Sequence, residues 1–147
     1  IIMGPEFRRD IGAGGENALL NYGYTILRAA TARAVVAAGL HPTIGLFHSN
    51  RGNAFALADD LMEPFRPLVD CTVRGLARTN GPQVDTTAKH ALATLIATDL
   101  PLGENVTPVS VALVRLATSL GQSFESGKLT LALPDPPDPL VFAGLGK

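Results

Sequence analysis

The sequence contains no tryptophan, only one cysteine (Cys71) and no apolar run long enough to cross a membrane. One thiol cannot form an intrachain disulfide, and a membrane-spanning helix needs about 20 consecutive apolar residues. No signal-peptide pattern is visible. The sequence therefore argues against a disulfide-stabilised secreted domain and against a membrane protein, and we expect a cytoplasmic protein that makes no membrane contact.

Aromatic residues are scarce and charged residues are few. They account for 5% and 17% of the 147 residues, whereas 46% are hydrophobic. This apolar content excludes a largely disordered chain, and the length fits one domain with its own core. The core must be built mainly from Ala, Leu, Val and Ile, which suits closely packed helices. The net charge of −1 lacks the basic excess typical of non-specific nucleic-acid binding, so only a local basic patch remains possible.

Helical periodicity dominates the middle of the chain. Apolar residues recur at steps of three and four at about 16–38, 54–62, 68–76, 87–98 and 108–125. In the last of these helices the pattern includes Val111, Val114, Leu116 and Leu120. The expected start and stop signals are Gly39, Asn53, Asp85 or Thr86, the pair Thr107–Pro108, and Gly127. Pro64 and Pro67 should interrupt the chain between the second and third helices.

These patterns predict an all-α helical bundle. We expect residues 1–15 to form a linker, because they contain Pro5 and four glycines. Residues 16–133 would form the helical domain. Residues 134–147 would form a Pro-rich tail that is ordered only if it docks.

Three acidic residues lie close together on the second predicted helix: Asp59, Asp60 and Glu63. Asp60 and Glu63 are three residues apart and share a helix face, and the spacing of Asp59 and Glu63 also permits a pair. These carboxylates repel one another unless Arg66 or a metal ion neutralises them. His48 lies in the loop that enters this helix and can fold back toward it.

An imidazole nitrogen with carboxylate oxygens suits Mn²⁺, is tolerable for Mg²⁺ and is open to Zn²⁺. Such an ion would polarise a phosphodiester. The plain alternative is a solvated acidic helix face, since short motifs match by chance often. Arg28, Arg51 and Arg66 are weak candidates for contact with DNA phosphates, and a solvated position is again the alternative for them.

Two small residues, Gly23 and Cys71, are expected to lie where the chain is closely packed. Gly23 lies within the first predicted helix, where glycine costs about 1 kcal/mol relative to alanine. This position predicts the close approach of another helix or backbone segment. Cys71 has no neighbouring base in the sequence and is expected to be a small core residue.

Three segments carry a resemblance to a known family. They are Asn17–Leu27 (NALLNYGYTIL), Ala38–His48 (AGLHPTIGLFH) and Ala58–Pro67 (ADDLMEPFRP). In this order and spacing they resemble the CRISPR spacer-acquisition integrases, the family called Cas one, and most closely its type II branch. The resemblance covers about residues 5–75 and extends to near residue 133.

The resemblance implies a fold and a site. Family members have a β-rich N-terminal domain followed by an α-helical catalytic domain, and this chain would be part of the second. The family's metal site uses a glutamate, a histidine and a further acid. The matching residues are His48 and Glu63 as ligands of Mn²⁺ or Mg²⁺, with Asp60 at a supporting catalytic position.

The family's first glutamate has no match in this sequence, since neither Glu6 nor Glu16 has the expected context. We expect this ligand to lie upstream of Ile1, and the chain by itself to bind metal weakly or not at all.

The resemblance also implies a reaction and partners. A DNA 3′-hydroxyl of a captured spacer would attack a phosphodiester at the CRISPR repeat boundary, and cleavage would follow if water replaced the hydroxyl. The implied partners are double-stranded DNA, the protein Cas two, and a second copy of the full-length chain. The competing hypothesis is a helical scaffold that contacts DNA or a partner protein and has no activity.

Overall fold

In a computed structural model, residues 3, 6–102 and 104–135 are described. Within these residues the structure contains five α-helices and one two-stranded antiparallel sheet. In chain order they are α1 (Glu16–Ala37), α2 (Ala56–Met62), α3 (Arg66–Thr79), α4 (Thr86–Thr94), β1 (Asp99–Leu102), β2 (Asn105–Pro108) and α5 (Val109–Ser126). Single 3-10 turns follow α2 (Glu63–Phe65) and α4 (Leu95–Ala97). The predicted helical fold is confirmed, and most of the predicted Pro-rich tail (136–147) lies outside the described residues.

Several predicted helix boundaries are confirmed. The chain leaves α1 through Gly39 and α5 through Gly127, both with the positive φ that glycine accommodates (77° and 67°). The Asp85 side chain caps α4 by accepting a hydrogen bond from the N–H of Ala88 at 2.8 Å. The two prolines act as expected, because the 3-10 turn that contains Pro64 separates α2 from α3 and Pro67 lies in the first turn of α3.

The predicted start of α2 at Asn53 is wrong. The helix begins at Ala56, after Phe55. The Asn53 side chain instead accepts a hydrogen bond from the N–H of Phe55 at 3.0 Å, forming a turn before the helix. The N–H of Leu57 is satisfied by the carbonyl oxygen of Pro42 at 2.8 Å, so a backbone group takes the place of a side-chain cap.

The start signal Thr107–Pro108 is also misplaced, because both residues belong to β2 and α5 begins at Val109. Asp99 pairs with Pro108 and Leu102 pairs with Asn105 in the hairpin. The sequence around Pro101 predicts a break between two helices, so the strand that contains this proline is not predicted. A proline is tolerated here because the sheet has only two strands, so both are edge strands.

The described residues fall into two compact units. The first contains the described residues up to Ile26 and the segment Phe65–Leu95; the second contains Leu27–Pro64 and the described residues from Ile96 to 135. In the first unit, α3 packs against α4. Its most buried side chains include Leu19, Leu20, Phe65, Val69, Val73 and Leu92.

In the second unit, α5 packs against α2 and against both strands of the hairpin. The face of α5 that meets them carries Val109, Ala112, Leu113, Leu116, Ala117 and Leu120. Of the four apolar residues named in the predicted pattern of this helix, Leu116 and Leu120 are buried, whereas Val111 and Val114 are 40% and 44% exposed.

A polar contact joins α1 and α3 within the first unit. The hydroxyl of Tyr24 donates a hydrogen bond to the carboxylate of Asp70. The guanidinium groups of Arg9 and Arg66 lie 5.5 Å and 4.7 Å from the centre of the Tyr24 ring. Burial raises the pKa of Asp70, although the Tyr24 hydroxyl and the two arginines act to lower it. Tyr24, the second tyrosine of the NYGY segment, therefore has a structural role.

Cys71 is buried, as predicted. Among the described residues, no helix combines the length and the apolar character that a bilayer span requires.

Gly23 allows α1 and α3 to approach closely. A Cβ atom at this position would lie 2.5 Å from Val69 Cγ1 and 3.2 Å from Leu92 Cδ2. Val69 and Leu92 are fully buried and have little room to move. The predicted packing role of Gly23 is therefore confirmed.

We expect Gly23→Ala to lower the free energy of unfolding, measured by urea denaturation. An overpacking cost near the upper end of about 1–3 kcal/mol outweighs a gain of about 1 kcal/mol in helix propensity. The matched control is Gly121→Ala in α5, where the nearest atoms to a new Cβ would lie at 3.7 Å and 4.0 Å; this change should stabilise by about 0.4–1 kcal/mol. In a Val69→Ala background, Gly23→Ala should lose most of its cost, and an unchanged cost would contradict this account of the packing.

Candidate active site

The loop before α2 is folded around one carboxylate, that of Asp60. Oδ2 of Asp60 accepts hydrogen bonds from the N–H groups of Leu46 at 2.6 Å and Phe47 at 2.9 Å, and Oδ1 accepts one from the N–H of His48 at 3.2 Å. Three consecutive amides therefore converge on a single side chain. Asp60 lies in the second turn of α2, so the helix fixes the position of the loop.

Asp60 also binds the imidazole of His48. The distance between His48 Nδ1 and Asp60 Oδ1 is 2.5 Å. The Asp60 side chain is 7% exposed and that of His48 is 39% exposed. Burial acts to raise the pKa of Asp60, but the hydrogen bonds from Phe47, His48 and Leu46 outweigh it and hold this pKa below its usual value.

The protonation of Asp60 decides the tautomer of His48. Because Asp60 is ionised at neutral pH, it can only accept, and Nδ1 of His48 must carry the hydrogen. The other ring nitrogen, Nε2, is then the one with a lone pair when the ring is neutral. A histidine that binds a metal ion through one ring nitrogen usually donates the N–H of the other to a carboxylate, a backbone carbonyl or water.

Gly45 makes this loop possible. A Cβ atom at Gly45 would lie 2.4 Å from the carbonyl oxygen of His48, 3.0 Å from Ala56 Cβ and 3.1 Å from Asp60 Oδ2. The first of these contacts is with backbone, which cannot move away while Asp60 holds the loop. Glycine is thus required for the chain to turn tightly around the carboxylate.

A cavity of about 550 Å³ is lined by Leu46, Phe47, His48, Asp60 and Glu63. Glu63 is the first residue of the 3-10 turn after α2, and its side chain is exposed. The structure thus brings the three predicted site residues His48, Asp60 and Glu63 to one cavity, with a nitrogen donor and carboxylate oxygens on its wall. Their catalytic and metal-binding roles stay predictions.

Asp59 takes part in a separate cluster. Its carboxylate pairs with Arg28 at 2.6 Å and accepts a hydrogen bond from the Asn53 amide at 2.7 Å. Arg28 also donates to Asn53 Oδ1 at 2.9 Å and lies 4.9 Å from the centre of the Phe55 ring. No local sequence pattern predicts this pairing, because Arg28 and Asp59 are 31 residues apart. Arg28, a weak candidate for DNA contact, is held by protein groups.

The other two arginine candidates differ in their surroundings. Arg51 is exposed, three residues after His48. Arg66 lies over the ring of Tyr24 in the first unit. A DNA contact by any of the three stays a prediction.

The donors present fit a divalent cation only in part. Among the described residues, no group of three or more His, Cys, Asp and Glu side chains is placed to hold a metal ion. Four donors already occupy the oxygens of Asp60. Nε2 of His48 and the carboxylate of Glu63 are a nitrogen and an oxygen donor on the wall of the same cavity, and this mixed donor type suits Mn²⁺.

The main feature that sequence reasoning missed is the role of Asp60. Spacing on a helix placed Asp60 beside Glu63 as an acid of the site, whereas the structure shows it as the anchor of the 45–48 loop. The available signal was Gly45, a glycine directly before the three residues whose amides bind the carboxylate.

We expect Asp60→Asn to lower the free energy of unfolding at pH 7 by about 1–3 kcal/mol, because the loop amides lose a charged acceptor. The folded pKa of Asp60 lies below its unfolded value. Its stabilising contribution is therefore present above pH of about 4 and is lost as the pH falls through the folded pKa. The difference between the wild type and Asp60→Asn should shrink below pH of about 4 in urea denaturation.

The control for this measurement is Asp99→Asn, at an exposed carboxylate in the same unit. It should change stability by less than about 0.5 kcal/mol. A stability difference for Asp60→Asn that is independent of pH would contradict the anchoring role.

Known proteins are similar to this chain in sequence and in fold. Residues 15–96, more than half of the chain, match the family model for CRISPR associated protein Cas1. A CRISPR-associated endonuclease Cas1 from Neisseria meningitidis is 49% identical over 72 residues, which are 49% of this chain and 23% of that protein. A Cas1 endonuclease from Francisella tularensis subsp. novicida is 37% identical over 96 residues, covering 61% of this chain and 30% of that protein.

A solved structure, a casposase bound to integration product, matches with a TM-score of 0.72 and 25% identity. The match covers 90% of this chain and 44% of the casposase chain. The matched part of this chain spans about a quarter of the length of the curated relatives. The family match includes α1 to α4 and the cavity with His48, Asp60 and Glu63, and this chain therefore belongs to the Cas1 family of CRISPR associated proteins.

Proposed function

We propose that this chain belongs to a metal-dependent DNA endonuclease and integrase that inserts new spacers into a CRISPR array. The observation that carries the proposal is the cavity in which Asp60 holds the imidazole of His48 beside Glu63. The names of the relatives support it, since they are CRISPR-associated endonucleases. The casposase with the same fold is bound to an integration product, which supports DNA as the substrate.

In this proposal each residue of the site has a distinct task. Asp60 orients the His48 ring and keeps the hydrogen on Nδ1. Nε2 of His48 and the carboxylate of Glu63 would hold Mn²⁺ or Mg²⁺, together with a glutamate that is not among the described residues. When bound, such a cation supplies charge stabilisation to a phosphodiester under attack. Arg51 is exposed close to His48 along the chain and is suited to contact a phosphate.

The reaction that follows is a transesterification. A DNA 3′-hydroxyl attacks the phosphorus of a phosphodiester at the CRISPR repeat. A P–O bond to the attacking oxygen forms as the P–O bond to the 3′-oxygen of the cut strand breaks, and the proton lost by the attacking hydroxyl is balanced by the one that the leaving 3′-oxygen gains. Water in place of the hydroxyl gives strand cleavage. We further propose, from the family resemblance, that the full-length protein forms a homodimer and assembles with Cas two.

The second candidate is a helical scaffold that binds DNA or a partner protein without activity. One observation favours it: among the described residues, no three His, Cys, Asp or Glu side chains are placed together to hold a metal ion. The two candidates differ in what His48 and Glu63 do. In the scaffold, neither residue affects catalysis or metal affinity.

Strand transfer and cleavage should depend on His48 and Glu63. We would assay the chain alone and joined to any upstream segment that its gene encodes, with Mn²⁺ and a labelled DNA substrate. His48→Ala and Glu63→Gln should each reduce the rate at least about 100-fold, since each removes a cation ligand and the loss of a residue that only orients a ligand already costs about 10–100-fold. His90→Ala and Asp99→Asn are matched controls at exposed positions and should retain the wild-type rate. Full activity in both site variants would exclude the assigned roles.

Metal affinity separates the two candidates without an activity assay. By calorimetry with Mn²⁺, Asp60→Asn in the active protein should weaken binding about 10–100-fold, as is typical when the partner of a histidine ligand is lost. His48→Ala should abolish the heat of binding that His90→Ala retains. If the wild type and His48→Ala give the same titration, the scaffold hypothesis is preferred.

A further inference from the structure

Phe47 exposes nearly its whole side chain at the candidate site. The exposed fraction is 87%, and its neighbours Leu46 and Ile44 are 55% and 71% exposed. Burying a phenylalanine stabilises by about 1.5–3 kcal/mol, so this side chain gains nothing from the fold of its own unit. A single exposed apolar residue is ordinary. The position and the anchoring of Phe47 distinguish it from Phe124, which is also exposed.

The backbone that carries Phe47 is fixed. Its N–H donates to Asp60 Oδ2, as does the N–H of Leu46, and Gly45 closes the loop against the carbonyl oxygen of His48. An exposed ring on a held backbone loses little conformational freedom on binding, because only its two side-chain torsions remain. The loop therefore presents the ring in a prepared position.

The ring lies beside the imidazole of His48. The two ring centres are 5.9 Å apart and the ring planes are perpendicular. Phe47 and Leu46 supply the apolar wall of the cavity, and His48, Asp60 and Glu63 supply its polar wall. A ligand with a flat apolar face and an attached phosphate would match both walls when a cation held by His48 and Glu63, as in the proposed function, offsets the charge of the carboxylates.

A nucleotide has this combination of a flat base and a phosphate. Successive nucleotides of one strand of duplex DNA rise by about 3.4 Å along the helix axis. The 5.9 Å between the ring centres is less than two such steps. A base on Phe47 and a phosphate at His48 would therefore belong to the same nucleotide or to neighbouring ones.

We propose that Phe47 is a positioning residue that stacks on a nucleobase of a bound DNA strand and so places the adjacent phosphodiester at His48. The inference rests on the proposed function, since it requires DNA at this cavity. A partner protein is the other occupant that an exposed aromatic side chain fits. DNA is favoured because Phe47 shares its cavity with His48 and Glu63, the residues proposed to hold the cation that a phosphodiester would meet.

The absence of tryptophan from the sequence allows a direct test. Phe47→Trp introduces a single indole, whose fluorescence is quenched when a base stacks on it. The matched control is Phe124→Trp, at a 60% exposed position of α5 that does not line the cavity. On titration with a single-stranded oligonucleotide of mixed sequence, Phe47→Trp should lose at least about half of its emission, and Phe124→Trp should keep its emission.

Affinity gives a second readout on the same oligonucleotide. Phe47→Ala should weaken binding about 5- to 150-fold, the range for removing one stacking side chain, whereas Phe124→Ala should leave it unchanged. The salt dependence separates stacking from phosphate contact. Phe47→Ala should keep the wild-type slope of log affinity against log salt, and Arg51→Ala should reduce that slope by about one.

The outcomes distinguish this inference from the proposed function. If the chain binds the oligonucleotide but Phe47→Trp is not quenched and Phe47→Ala binds like the wild type, stacking is excluded while DNA binding stands. If quenching of Phe47→Trp occurs only with a partner protein, the ring is a protein contact and the inference fails. If the wild type does not bind DNA at all, both the inference and the DNA-binding part of the proposed function fail.

Discussion

The candidate site depends on one buried carboxylate. Asp60 accepts hydrogen bonds from three consecutive backbone amides and from the imidazole of His48, which is more donors than any other side chain of the cavity receives among the described contacts. A charge with 7% exposure is costly unless it is fully hydrogen-bonded. The loop amides supply these hydrogen bonds, and the Asp60 carboxylate in turn holds the loop in place. These hydrogen bonds fix the shape of the loop at residues 46–48 and the orientation of the His48 ring.

This arrangement links the fold to the chemistry. In the second unit, α2 is held by α5 and presents Asp60 on its second turn, and the 3-10 turn that follows presents Glu63. The imidazole is thus positioned by a helix although it belongs to a loop. A site built on helices is held more precisely than one built on loops alone. The short α2, only seven residues long, is therefore the element on which the geometry of the site rests.

Much of the fold could be predicted from the sequence, because its signals are local. Gly39, Asp85 and Gly127 act at helix ends through their own backbone or side chains, and Gly23 marked a close helix contact. The hairpin at 99–108 could not be predicted, since a two-stranded sheet tolerates Pro101 and shows no long alternating pattern. Val111 and Val114 belong to the same apolar pattern as Leu116 and Leu120 but are exposed, because periodicity identifies an apolar helix without determining which of two adjacent stripes of residues faces the core.

The site was predicted in its members but not in its internal contacts. Spacing and family resemblance brought His48, Asp60 and Glu63 together, and the structure places them around one cavity. The different roles of these residues depend on contacts between side chains that lie 12 to 31 positions apart in the sequence, such as Asp60 with His48 and Asp59 with Arg28. Such contacts require the tertiary fold, which no local pattern encodes.

The central claim is that Asp60 fixes the tautomer of His48 and leaves Nε2 as the donor atom. Nitrogen-15 NMR of the His48 ring measures this directly, at a pH of about 8.5 where an ordinary imidazole is neutral. The account predicts that the hydrogen lies on Nδ1 in the wild type and that Asp60→Asn gives a mixture of the two tautomers. A wild-type ring that carries its hydrogen on Nε2 would contradict it.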